Sequence, residues 1–89
     1  MYKIFEARQL KFHIKFDLVD DSYIPHCKKR HDLEIEDVIA SYFNKTEEIF
    51  NEVNLRFEAY SEKDEIYVYY NFKHNNKNEI LIITAFRKD

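Results

Sequence analysis

The 89-residue chain contains no glycine, a single proline and a single cysteine. Phosphate-cradling loops, dinucleotide-binding turns and nucleophile elbows all need glycine where the backbone turns tightly or approaches a ligand. None of them can be present in standard form. Turns must instead draw on Asn and Asp, which tolerate a left-handed backbone better than other residues that carry a Cβ. A lone Cys27 cannot close an internal disulfide, so the fold owes nothing to oxidation and suits a reducing compartment. No low-charge apolar run approaches the roughly 18 residues of a membrane span. The opening Met1-Tyr2-Lys3-Ile4-Phe5-Glu6 also lacks the pattern of a secretory leader. The expected location is the cytoplasm, with no membrane partner.

With 45% hydrophobic and 17% aromatic residues, the chain has enough material for one core, and residues 1–89 are expected to form a single domain. The net charge of −3 hides an uneven distribution. Residues 1–31 carry seven Lys/Arg against four acids, residues 32–65 three against eleven, and residues 66–89 four against two. The basic and acidic sides are therefore different surfaces. A domain this acidic has no general electrostatic footprint for nucleic acid, so any such contact must use a local patch.

Leu10 to Leu18 alternates apolar and polar residues without a fault, which marks a half-buried strand, and Tyr2–Phe5 is a shorter strand before it. Asp20-Asp21-Ser22 breaks the pattern. Pro25 can open a short helix running to about His31, because its missing N–H would have no partner there. Ile35, Val38, Ile39, Tyr42 and Phe43 recur at helical spacing behind Glu34, Glu36 and Asp37, acids that favour a helix N-terminus. Ile49, Phe50 and Val53 keep the same phase beyond Asn44-Lys45-Thr46, and the periodicity leaves open whether that helix runs on or bends. Leu55–Tyr60, Ile66–Phe72 and Glu79–Phe86 read as an antiparallel meander. Ile80–Phe86, apolar on both faces, reads as a central strand covered by the helices. The expected fold is α+β, with two short helices packed on a twisted antiparallel sheet of four to five strands.

The stretch His-Cys-Lys-Lys-Arg-His, residues 26–31, gathers the only cysteine with five basic or titratable groups. His26, Cys27 and His31 are competent zinc ligands. A structural site wants four ligands in paired clusters, however, and His13 and His74 are isolated on a strand and in a loop. No metal and no cofactor are expected, and Cys27 reads as a small buried residue. On a helix His26 and Arg30 share a face, so one phosphate could meet both. Histidine suits proton transfer near neutrality, and arginine suits phosphate through its forked guanidinium. Tyr67 and Tyr69 share one face of their strand, where they fit an interface or the core better than base stacking.

Three features together resemble the RelE/BrnT-like small toxin domains of the wider barnase, EndoU, colicin and RelE-type ribonuclease fold. They are a short helix with His-x-x-x-Arg (His26, Arg30), the helix Leu-Glu-Ile-Glu-Asp-Val-Ile (33–39), and a terminal hairpin closing on Ile-Ile-Thr-Ala-Phe-Arg (82–87). The similarity covers residues 24–88. It implies metal-independent RNA cleavage through 2′-OH attack, with His26, Arg30, Thr84 and Arg87 at the catalytic site. It also implies Lys28, Lys29, His31 and Lys88 as RNA contacts. The implied partners are RNA, ribosome-associated mRNA included, and an antitoxin or immunity protein. Those domains are usually basic, whereas this chain is acidic, and its strand at 10–18 is longer. The acidic 32–65 segment supports an alternative from another class: a non-enzymatic inhibitor or immunity-type protein that acts on a basic protein partner.

Overall fold

The structure is a computed structural model that describes residues 1–89. Strands β1 (Tyr2–Ala7), β2 (Leu10–Val19) and β3 (Ser22–Pro25) precede helices α1 (His26–His31) and α2 (Ile35–Phe43). Four more strands complete the chain: β4 (Glu47–Asn51), β5 (Arg56–Ser61), β6 (Ile66–Lys73) and β7 (Asn76–Arg87). One seven-stranded sheet has the order β1-β2-β7-β6-β5-β4, with β3 attached to the end of β2. The fold is thus α+β, but the antiparallel sheet of four to five strands expected from sequence is corrected on two counts. The sheet has seven strands, and it is mixed, because Lys11, Phe12 and His13 of β2 pair in parallel with Glu79, Ile80 and Leu81 of β7. Neither helix is long and apolar enough to cross a membrane.

The two additional strands arise for different reasons: turn chemistry makes β3, and an unpaired strand edge makes β4. Asp20 and Asp21 both take positive φ, which lets a two-residue hairpin turn pair Val19 with Ser22 and return the chain along β2 as β3. Arg8-Gln9 and His74-Asn75 make the same kind of turn, again with positive φ at both positions, so the left-handed positions are not confined to the Asn and Asp expected from sequence. The apolar phase that could have prolonged α2 becomes β4. The helix stops at Asn44, and the Thr46 N–H donates to the Tyr60 carbonyl at 2.8 Å, opening the β4–β5 ladder. Without β4, the outer backbone groups of β5 would have no ladder partner.

Both helices lie on one face of the sheet. Phe12, Leu33, Val38 and Ile80 are completely buried between the helical layer and the sheet, joined by Ile14, Phe16, Ile66, Val68, Tyr70 and Ile82. Phe12 packs in T-shaped contacts with Tyr42 and Phe43 of α2. Pro25 ends β3 and is the N-cap of α1, so the helix begins at His26, one residue later than expected. The helix closes on left-handed Asp32, with the Asp32 N–H donating to Lys28 O and the Leu33 N–H to Cys27 O. A reciprocal capping box of Glu34 and Asp37 starts α2.

Leu55, 63% exposed, is held at φ 53° immediately before β5. A left-handed backbone costs a residue with a Cβ about 1–2 kcal/mol. The chain-entropy cost of glycine is only about 0.5–1 kcal/mol. Leu55→Gly should therefore stabilise the protein by about 0.5–1 kcal/mol in urea unfolding. Unchanged or lower stability would show that this turn carries no strain.

Candidate functional site

The face opposite the helices carries no covering element, and the strand registers set its side chains in rows. One row runs Glu47, Tyr60, Tyr67, Phe86 across β4, β5, β6 and β7, and the next runs Ile49, Glu58, Tyr69, Thr84. Tyr60 and Tyr67 lie 4.6 Å apart by ring centroid, and Tyr67 stacks on Phe86 at 5.2 Å. Tyr69 also makes a T-shaped contact with Phe86, and the His31 ring lies 6.0 Å from Phe86. An aromatic strip therefore leads from the acidic β4 edge to the basic helix α1.

At the α1 end, β2 and β7 part after their three-residue parallel seam. The resulting crevice is lined by Ile14, Lys15, His26, Cys27 and Ile82 to Ala85. The β3 hairpin brings Pro25 opposite Phe16, which sets His26 beside Asp17. The His26 Nδ1 and Asp17 Oδ2 atoms are 2.6 Å apart. This hydrogen bond, with the charge His26 carries when protonated and the positive charges of Lys29 and Lys15 nearby, outweighs partial burial and holds the Asp17 carboxyl below its ordinary range. Nδ1 is thereby occupied, leaving Nε2 as the imidazole nitrogen available to a ligand.

The residues expected from sequence separate into two groups. His26 and Thr84 line the same crevice, and Lys29 and Arg30 are exposed on the helix that begins there. Burial first, then the charge of Arg30 and that of His26 when protonated, lowers the pKa of His31. Lys28 is taken up by Asp32 and Glu34, each at 2.8 Å, and both acids push its pKa up. Arg87 lies at the opposite end of α1 from His26, donating from its guanidinium to the Asp32 carbonyl at 3.4 Å. The Lys88 ammonium stands 5.6 Å from the Tyr60 ring. Cys27 is buried, and desolvation raises its thiol pKa.

Three residues at these surfaces were missed from sequence: Asp17, Glu47 and Glu58. Asp17 had a signal, since a two-residue turn at Asp20-Asp21 fixes a register that leads His26 back to the Lys15–Asp17 end of β2. Comparison with protein-family models, curated proteins and solved structures finds no match to the chain. The chemistry of the site therefore rests on its own geometry.

His26→Ala should return the Asp17 carboxyl toward its ordinary pKa, read by carboxyl-carbon NMR titration. The sign for stability is set by the lowered folded pKa. The pair contributes above the ordinary Asp range, and the contribution is lost as pH falls through the lowered value. If Asp17 titrates identically in both proteins, His26 is not what holds it.

Proposed function

We propose that the α1 edge of the open face binds single-stranded RNA and cleaves it without a metal, through attack of a 2′-OH on the adjacent phosphate. The observation that carries this reading is the 2.6 Å His26–Asp17 contact at a crevice that also holds Thr84. With Nδ1–H donated to Asp17, His26 Nε2 accepts the 2′-OH proton as general base. Arg30, four positions along the helix, meets the phosphate and the charge that builds on it. Thr84 offers a hydroxyl for positioning, and exposed Lys29 adds positive charge to the approach. The leaving 5′ oxygen takes its proton from solvent at this open crevice. The space inside is only about 10 Å³, room for one water molecule, so the nucleotide lies across the mouth. The RelE/BrnT-like resemblance agrees with this reading in the helix residues His26 and Arg30 and in Thr84.

A second reading, the non-enzymatic acidic protein acting on a basic partner, has its own support. The larger concavity of the face, about 230 Å³, lies at the acidic β4–β5 edge and includes Glu47, Glu48 and Glu58. The two readings use opposite ends of one strip.

Cleavage of a fluorogenic single-stranded RNA in EDTA, with and without ribosomes, tests the first reading. The expected product is a 2′,3′-cyclic phosphate. His26→Ala should lower the rate by about 100-fold or more, the usual worth of a general base. Asp17→Asn should move the pH profile while leaving the circular dichroism spectrum unchanged. If wild type does not cleave under either condition, the nuclease reading fails.

A further inference from the structure

The concavity at the β4–β5 edge is lined by Glu47, Glu48, Ile49, Glu58 and the tyrosines 60, 67 and 69, so its walls are aromatic and its rim is anionic. The chain already shows what such walls hold. Arg56 lays its guanidinium carbon 4.6 Å from the Tyr69 ring centroid while its Nε donates to Glu58 at 2.9 Å. One tyrosine face and one glutamate thus take one arginine, by stacking and by a charge-assisted hydrogen bond. The neighbouring row repeats the composition, with Glu47 directly opposite Tyr60 and Tyr60 directly opposite Tyr67. In that row the only cation near a ring is Lys88, at 5.6 Å from Tyr60, and Glu47 makes no salt bridge within the chain. Glu48 differs, since its carboxylate accepts from the Tyr70 hydroxyl and faces Lys45 at 3.8 Å.

We propose that the Glu47–Tyr60–Tyr67 row is a recognition pocket for an arginine side chain presented by a basic segment of a partner protein. The inference rests on the second reading above and is independent of RNA cleavage at His26. Arginine fits better than lysine because its planar guanidinium can lie on a tyrosine face while an N–H on its edge addresses a carboxylate at the rim, as Arg56 does through Nε one row away. The pocket's volume of about 230 Å³ accepts one such side chain with part of its backbone, and the rim charge favours approach of a positively charged segment. A polyanion is disfavoured there by the same carboxylates.

The test is an amide NMR titration of the full chain with a hexa-arginine peptide, a hexa-lysine peptide and a single-stranded oligonucleotide. The expected result is that hexa-arginine shifts the resonances of Glu47, Tyr60 and Tyr67 and binds more tightly than hexa-lysine. Glu47→Gln, an exposed edge substitution, should weaken it about tenfold, and Tyr67→Leu at least as much. His26→Ala should leave peptide binding unchanged. Binding that shifts other residues, or that Glu47→Gln does not weaken, overturns the pocket while leaving an acidic binding surface elsewhere. No peptide binding at any site overturns both the pocket and the basic-partner reading. Oligonucleotide shifts at these tyrosines without peptide shifts reassign the surface to nucleic acid.

Discussion

The structure hangs on a seam three residue pairs long. β2 and β7 meet in parallel only at Lys11–Glu79, Phe12–Ile80 and His13–Leu81, and this contact joins the N-terminal hairpins to the C-terminal meander. Phe12 and Ile80, both fully buried, close the seam on the helix side. On the open side His13, only 4% exposed, bonds through Nε2 to Glu79 at 2.8 Å. That bond holds Glu79 below the ordinary glutamate range against a smaller desolvation effect. Its contribution is present above that range and lost as pH falls through the lowered value.

The open face is shaped by where the seam ends. Past His13 and Leu81 the strands separate, β2 takes β3 as its next partner, and α1 packs against both β2 and β7. A continuous ladder would have paired Ile14 and Lys15 with residues of β7 and left no crevice for His26 and Thr84. On the other side, the register of the meander aligns acidic and aromatic residues in rows. The face is therefore polarised, with histidine and cations beside α1 and carboxylates beside β4. This geometry resolves the tension in the sequence between a net-acidic chain and a basic helix: the two charges lie at opposite edges of one surface.

Much of this was legible in the residues. The alternation of 10–18, the apolar phase of 35–43 and the doubly apolar 80–86 gave β2, α2 and a β7 that does lie inside the sheet. Period alone could not separate α2 from β4. Ile49, Phe50 and Val53 fit a helical phase, and the deciding factor was the unpaired edge of β5, a tertiary demand. The parallel pairing was also hidden, because residues 13 and 81 contribute nothing to each other's local pattern. Asp20-Asp21 read as an interruption although its two residues could supply a left-handed hairpin turn. That turn is what places Asp17 beside His26. Nothing in the local sequence sets Glu47 and Glu58 apart from the other acids, and only cross-strand register shows them beside tyrosines.

Amide hydrogen exchange across the seam tests most directly whether it unites the protein. At neutral pH, the slowest amides of β2 should exchange with the same free energy as the slowest amides of β6 and β7, through global unfolding. Exchange of residues 2–25 at markedly lower free energy, while β5 to β7 stay protected, would contradict the account. It would show that the N-terminal hairpins, and the crevice they form with β7, open independently of the sheet.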